Sequence, residues 1–312
     1  MKKVSVLIPL YNECQSLPQL FDRLTALMDS HPEYLWEVLL VNDGSTDASL
    51  ALLIRKHGED NRFRYVDLSR NFGKEVAMLA GMDHVTGDCT VIMDADLQHP
   101  PELIPDMLHE WEQGYDDVYG QRLSRGSEPW LRRKLTAIYY RLLQESSTTP
   151  VLPNTGDFRL LDRSCIKALR TLRESQRYTK GLFCYIGFRK KAIPFDQQDR
   201  KAGKSKQNYM RLFSLAIEGI TSNTTLPLRI ATVAGMVISL LALLYMVFIV
   251  VKTVAWGEPV QGFPTLMVAI LLLGGVQLLA IGIIGEYLAR VFRETKNRPT
   301  YFIREIDGRR PE

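Results

Sequence analysis

The sequence predicts an α/β domain built on a parallel sheet, followed by an amphipathic helix and a two-helix membrane hairpin. Three observations predict it. Up to about residue 194, short β-rich apolar runs alternate with amphipathic stretches, the pattern of a sheet flanked by helices. Beyond Pro227, two uncharged apolar runs, residues 230–251 and 263–285, are each long enough to cross a hydrocarbon core; such a core is about 30 Å thick and a helix rises about 1.5 Å per residue. Cations flank the pair at its outer ends: Arg229 precedes the first run, and Arg290, Arg293, Lys296 and Arg298 follow the second, while the connection 252–262 offers only Lys252 balanced by Glu258.

The elements follow in order. Met1-Lys2-Lys3 imitates the start of a signal peptide, but the apolar run after it is too short and no small-residue cleavage site follows, so residues 4–9 read as a buried first strand. Further strands are expected over 37–42, 64–67, 90–94 and 117–121, and helices over 17–28, 48–56, 74–84 and 101–113. Ligands of such a sheet gather at the carboxyl ends of its strands. In 208–225, Leu212, Leu215, Ala216 and Ile220 share one helical face beside Arg211, which suits either a helix lying in the membrane interface or an ordinary packing helix. The uncharged runs are read as spans rather than buried core helices because two adjacent runs of that length are unusual in a soluble domain. Gly274, Gly275, Gly282 and Gly285 permit close helix approach, within the hairpin or between subunits. The expected divisions are a catalytic domain 1–206, an interfacial helix 207–227, two spans 228–290 and a tail 291–312, with the domain and both termini cytoplasmic.

Composition narrows the classes. With 312 residues, 46% hydrophobic and 24% charged, the chain can bury a full core. A net charge of +4 is mild and argues against nucleic acid as the partner. Cys14, Cys89, Cys165 and Cys184 lack C-x-x-C spacing and nearby histidines, as expected of reduced structural thiols.

The strand ending near Met93 delivers Asp94-Ala95-Asp96-Leu97-Gln98 to the ligand edge. Two carboxylates one residue apart, with an amide oxygen two further on, are hard ligands for Mg²⁺ or Mn²⁺; a solvated acidic loop is the alternative. Asn42-Asp43-Gly44-Ser45-Thr46-Asp47 ends another strand and either caps the next helix through Ser45 or Thr46 or meets a base or ribose through Asp43. The first strand ends in Pro9-Leu10-Tyr11-Asn12-Glu13 at the same edge. Arg122 and the run Arg132-Arg133-Lys134 fit a phosphate, or else are solvated helix charges. Arg200-Lys201-Ala202-Gly203-Lys204-Ser205-Lys206 is either a lipid-headgroup contact or a mobile loop closing over a diphosphate. Asp157, in Gly156-Asp157-Phe158-Arg159-Leu160, is a carboxylate at a turn beside apolar residues, with a structural ion pair to Arg159 or another arginine as the alternative.

Together with Arg70-Asn71-Phe72-Gly73-Lys74-Glu75 and Gly285-Glu286-Tyr287, this ordered series resembles the polyprenyl-phosphate glycosyltransferases of glycosyltransferase family 2, which include dolichol-phosphate mannose synthase. It is most similar to the bactoprenol glucosyltransferases associated with O-antigen modification. The resemblance runs over nearly the whole chain and implies a GT-A fold, Rossmann-like, in the catalytic domain. It implies a nucleotide-binding set of Pro9, Tyr11, Glu13, Asp43, Lys74 and Asp94, and metal ligands Asp94, Asp96 and Gln98 for Mg²⁺ or Mn²⁺. Arg122 and Arg133 would hold the acceptor phosphate, Arg200, Gly203, Ser205 and Lys206 would form the mobile loop, and Asp157 with Asp96 would carry catalysis. The implied partners are a nucleotide-sugar donor, with UDP-glucose favoured, undecaprenyl phosphate as acceptor, the bacterial inner membrane and three further copies in a homotetramer. GDP-mannose, UDP-N-acetylglucosamine and a UDP-aminoarabinose derivative are the alternative donors. A processive polysaccharide synthase would add a Gln-x-x-Arg-Trp element, which this sequence lacks. The remaining alternative is a nonenzymatic membrane subunit that binds a sugar nucleotide.

Overall fold

The computed structural model describes residues 1–122, 155–174, 177–195 and 262–310, together with scattered helical positions between 233 and 251. The chain divides into two compact units, 1–144 with 148–208 and 299–312, and 145–147 with 209–298.

The first unit is an eight-stranded mixed sheet. Its strands are β1 (Lys3–Leu10), β2 (Leu35–Asn42), β3 (Phe63–Leu68), β4 (Cys89–Ile92), β5 (Asp117–Arg122), β6 (Thr155–Asp162), β7 (Lys190–Phe195) and β8 (Ile303–Ile306). The spatial order is β7-β5-β6-β4-β1-β2-β3-β8. β4, β1, β2 and β3 run parallel, and β6 and β8 run antiparallel to their neighbours. The helices are α1 (Leu17–Ser30), α2 (Ser49–Glu59), α3 (Lys74–His84), α4 (Ile104–Glu112), α5 (Arg163–Thr171) and α6 (Thr179–Tyr185).

The strands are apolar without alternation because both faces are covered. Successive side chains of a strand point to opposite faces, so Val4, Val6 and Ile8 of β1 join one core with Leu20 and Leu24 of α1, Leu53 of α2 and Met107 of α4. Leu7 joins the other, with Ala77, Met78 and Ala80 of α3 and Ile166 of α5. A side chain at Gly81 would collide with Leu7, so the glycine is what lets α3 lie close on β1.

The expected strands and helices of the first 121 residues are all present. Three expectations are corrected in this unit. Gly156-Asp157-Phe158 is not a turn but part of the first half of β6, an antiparallel strand between β4 and β5; its apolar stretch is short and interrupted by Asp157 and Arg159, which hid it. Residues 303–306, placed in the tail by the sequence, extend the sheet beyond β3. Asp307 accepts from Tyr65 N at 2.9 Å and from Arg64 Nε at 2.8 Å, and Arg304 pairs with buried Asp67 at 3.2 Å. Ser45 and Thr46 do not cap α2: Asp47 Oδ1 accepts Ser49 N at 3.0 Å, while Ser45 Oγ accepts Asn12 N at 2.9 Å and Thr46 N donates to Asn12 Oδ1 at 2.8 Å.

The second unit contains α7 (Phe263–Thr295), 33 residues long. It runs ten residues past the uncharged run 263–285 and five past the expected end of the spans at 290, since Glu286-Tyr287-Leu288-Ala289-Arg290 holds no breaker and none follows before Asn297. Its stretch Leu273–Thr295 is long and apolar enough to cross a membrane, with a mean hydropathy of 1.4 over its most apolar 18 residues. Leu278, Ile281 and Leu288 are exposed along it, as are Val237, Leu241, Leu244 and Phe248 at the described helical positions of the first run. Residues 208–225 lie outside the described residues.

Candidate active site

Strand pairing places the acids. β4 and β6 pair in antiparallel register from Cys89↔Asp162 to Ile92↔Arg159. Continued two places past the end of β4, the same register brings Asp94 opposite Asp157. Lys74, the first residue of α3, reaches between them: its ammonium lies 2.6 Å from Asp94 Oδ1 and 2.7 Å from Asp157 Oδ2. Three segments far apart in sequence therefore meet at one point on the carboxyl edge of the sheet.

The alternative partner for Asp157 is set aside by this geometry. Arg159 is buried and bonds to Asp117 at 3.1 Å, with its guanidinium stacked 3.7 Å from the Phe183 ring centroid. Asp157 is 8% exposed, and its Oδ1 is buried with no hydrogen-bond partner among the described residues. Burial opposes its ionisation, yet Lys74, Lys180 and Arg159 together hold its carboxyl below the usual aspartate range. Burial likewise opposes the charge on Lys74, and the facing carboxylates of Asp94 and Asp157 hold its ammonium above the usual lysine range. The site is thus an anion–cation–anion row at neutral pH.

Asp43 explains how Lys74 is delivered. Its Oδ1 accepts Phe72 N at 2.7 Å and its Oδ2 accepts Gly73 N at 2.8 Å, fixing the loop that starts α3. Desolvation raises the Asp43 pKa and these two backbone donors pull it back. Gly44 follows with φ +65°, and a side chain there would strike the Arg70 backbone; only glycine accommodates both. Glu75 then accepts Thr179 N at 3.0 Å, tying the start of α3 to that of α6.

The acidic turn is equally built. Asp94 N donates to His99 Nδ1 at 3.1 Å, Gln98 N donates to Asp96 Oδ1 at 3.2 Å, and Leu97 adopts φ +62° between them. His99 is buried and stacks on Phe158, with ring centroids 4.9 Å apart and planes 7° from parallel. One imidazole therefore links the Asp94 turn to the strand that carries Asp157. The tautomer follows from the bond: Nδ1 accepts, so Nε2 carries the proton.

Other expected residues lie along the same strand-end edge. Pro9 lies in the buried stretch of β1, which runs on to Leu10, Tyr11 is 44% exposed, and Glu13 Oε2 accepts Ser16 Oγ at 3.0 Å. Arg122 ends β5, and its side chain lies outside the described residues, as do Arg133, Arg200, Gly203, Ser205 and Lys206. Sequence reading missed His99, Glu75 and Lys180. His99 left a signal through its position directly after Asp94-Ala95-Asp96-Leu97-Gln98, and Glu75 through its place at the end of Arg70-Asn71-Phe72-Gly73-Lys74-Glu75.

Among the described residues no group of three or more His, Cys, Asp or Glu side chains forms a closed metal cage. Asp94, Asp96 and Gln98 nevertheless bring carboxylate and amide oxygens to one tight turn, which the bond from Gln98 N to Asp96 Oδ1 closes. That donor set fits an ion that keeps water and phosphate ligands, as Mg²⁺ and Mn²⁺ do at nucleotide sites.

Comparisons with known proteins show the family of the chain. The family described as glycosyl transferase family 2 matches residues 5–170, and the GtrB C-terminal hairpin matches residues 226–291. The uncharacterized glycosyltransferase sll0501 of Synechocystis sp. (strain ATCC 27184 / PCC 6803 / Kazusa) is 43% identical over 98% of this chain and 96% of its own length. The putative glycosyltransferase CsbB of Bacillus subtilis (strain 168) is 40% identical over 97% and 92%. The bactoprenol glucosyl transferase of Shigella phage SfX is 37% identical over 97% and 99%.

Proposed function

From the premise that this chain belongs to glycosyl transferase family 2 and carries a GtrB-type hairpin over residues 226–291, we propose that it transfers glucose from UDP-glucose to undecaprenyl phosphate. Relatives 37% identical over nearly the whole chain are named bactoprenol glucosyl transferases, which supports glucose as the sugar and a polyprenyl phosphate as the carrier. The observation that carries the reading is the row Asp94–Lys74–Asp157, which sets charged groups for a diphosphate beside a buried carboxylate.

In this reading Pro9, Tyr11, Glu13 and Asp43 frame the nucleoside, directly or, for Asp43, through the 72–73 backbone that it holds. Lys74 and Asp94 lie at the diphosphate. Asp94, Asp96 and Gln98 would hold Mg²⁺ or Mn²⁺, whose chemistry when bound is to neutralise charge on the departing nucleotide. Arg122 and Arg133 hold the acceptor phosphate, and Arg200, Ser205 and Lys206 close over the donor.

The reaction is one displacement. A phosphate oxygen of the lipid bonds to the anomeric carbon, the bond from that carbon to the nucleotide diphosphate breaks, and UDP departs with the electron pair. Configuration inverts. The phosphate is already anionic near neutral pH, so it needs orientation more than deprotonation. Asp157, held as a carboxylate by Lys74, orients the acceptor and tunes the field at the reacting carbon.

The α7 helix and the run before it anchor the enzyme as a hairpin in the bacterial inner membrane, with the catalytic domain and both termini cytoplasmic. The cations at the outer ends of the spans support that orientation. The glycines of α7 offer close packing for a homotetramer. The test is a panel of radiolabelled UDP-glucose, UDP-N-acetylglucosamine and GDP-mannose with undecaprenyl phosphate and full-length protein in detergent. UDP-glucose should give the dominant organic-phase product; dominance of another sugar would overturn the donor assignment.

A further inference from the structure

Lys74 bridges an oxygen of the acidic turn, which a metal–diphosphate complex needs, and an oxygen of buried Asp157. Asp157 is almost wholly buried, and a buried carboxylate left without a cation is costly. Lys74 supplies that cation, and at 2.6 Å it also occupies Asp94 Oδ1, an oxygen of the acidic turn. A divalent ion on the same oxygen would sit at about 2.1 Å from it, close enough to the ammonium for strong repulsion. Lysine and ion therefore compete for Asp94.

The surroundings allow the lysine alone to move. The start of α3 is fixed by the Asp43 bonds to Phe72 N and Gly73 N and by the Glu75 bond to Thr179 N. The Lys74 side chain, on a flexible four-carbon stem, is 42% exposed.

We propose that Lys74 is a resident counter-ion: it neutralises Asp94 and Asp157 while the site is empty, suppresses divalent-ion binding on its own, and yields Asp94 when nucleotide diphosphate and ion arrive together. This rests on the metal-and-diphosphate reading of the site and adds an order to it. The diphosphate offers the displaced ammonium a new anionic partner, so nucleotide and ion bind synergistically. Each raises the affinity of the other by the same factor.

The experiment titrates full-length protein in detergent with Mn²⁺ alone and with Mn²⁺ plus UDP, following free Mn²⁺ by electron paramagnetic resonance. The wild type should bind Mn²⁺ at least about tenfold more tightly with UDP present. Lys74→Gln should bind Mn²⁺ without nucleotide about tenfold more tightly than the wild type, and should lose most of the gain from UDP. Lys74→Arg, which keeps the charge, should stay within about threefold of the wild type. Unchanged or weaker Mn²⁺ binding by Lys74→Gln overturns the proposal while leaving the metal reading intact, provided the wild type binds Mn²⁺ with UDP. Absence of Mn²⁺ binding by every protein under both conditions overturns the metal reading and the proposal with it. A wild type with equal Mn²⁺ affinity with and without UDP also overturns the proposal, independently of any variant.

Discussion

Asp94 and Asp157 stand opposite each other just past the last paired residues of β4 and β6, and the ammonium of Lys74 joins them at 2.6 and 2.7 Å. The two carboxylates thus belong to one electrostatic unit. Asp157→Asn removes one charge from it while preserving shape. Positioned groups of this kind contribute about a hundredfold or more to turnover, so kcat should fall by about that factor with the donor KM changed less than about threefold. Steady-state kinetics with varied UDP-glucose checks this; a raised donor KM with normal kcat would move Asp157 to the donor side.

His99 holds the Asp94 backbone through Nδ1 and packs flat on Phe158. His99→Phe keeps the aromatic stack and loses the acceptor, whereas His99→Asn returns an acceptor near the Nδ1 position. Groups that orient metal ligands are worth about 10–100-fold in affinity or activity. Mn²⁺ affinity in the presence of UDP should weaken within that range in His99→Phe and recover in His99→Asn. Equal affinity in His99→Phe and the wild type would reduce His99 to core packing.

Asp47 provides the pH dependence. Despite desolvation, its bonds from Ser49 and Cys14 lower its pKa to about 2. A depressed carboxyl pKa contributes stability above the unfolded value, near 3.9, and loses it as the pH falls through the folded value. The gap in melting temperature between wild type and Asp47→Ala should be constant above about pH 5 and should close between about pH 4 and pH 2. A gap independent of pH across that window would show that the charged form of Asp47 has no special stabilisation.

The segment after α7 completes the sheet. Asp307 accepts from the Tyr65 backbone and pairs with Arg64, and Tyr301 Oη donates to Asp83 Oδ2 at 2.7 Å. Asp307→Ala should lower the urea midpoint of the sheet domain, corresponding to about 1–3 kcal/mol for a part-buried backbone donor left unpaired and a lost charged bond. An unchanged midpoint would mean that β8 adds nothing to the stability of the domain.

Much of this was legible in residues 1–121 because parallel strands covered on both faces leave unbroken apolar runs, and each is followed by turn residues where ligands gather. Asp94 and Asp43 could be placed at strand ends on that ground alone. The pairing of Lys74 with Asp157 could not, since it depends on an antiparallel register between β4 and β6, and β6 carries two charged residues that mask its strand pattern. β8 was hidden for a related reason: four residues beyond a long helix give too short a pattern, and the long-range bonds from Asp307 and Arg304 define it. His99 read as part of a loop because its role lies in a backbone bond and a ring stack, neither of which has a sequence period.

The most direct measurement is lipid-linked product formed from labelled UDP-glucose and undecaprenyl phosphate by purified full-length wild type and Asp96→Ala, run side by side. A labelled, organic-soluble glucosyl phospholipid from the wild type, reduced by at least about a hundredfold in Asp96→Ala, is the predicted result. Equal yields from the two proteins, or no lipid product from the wild type, would contradict the account.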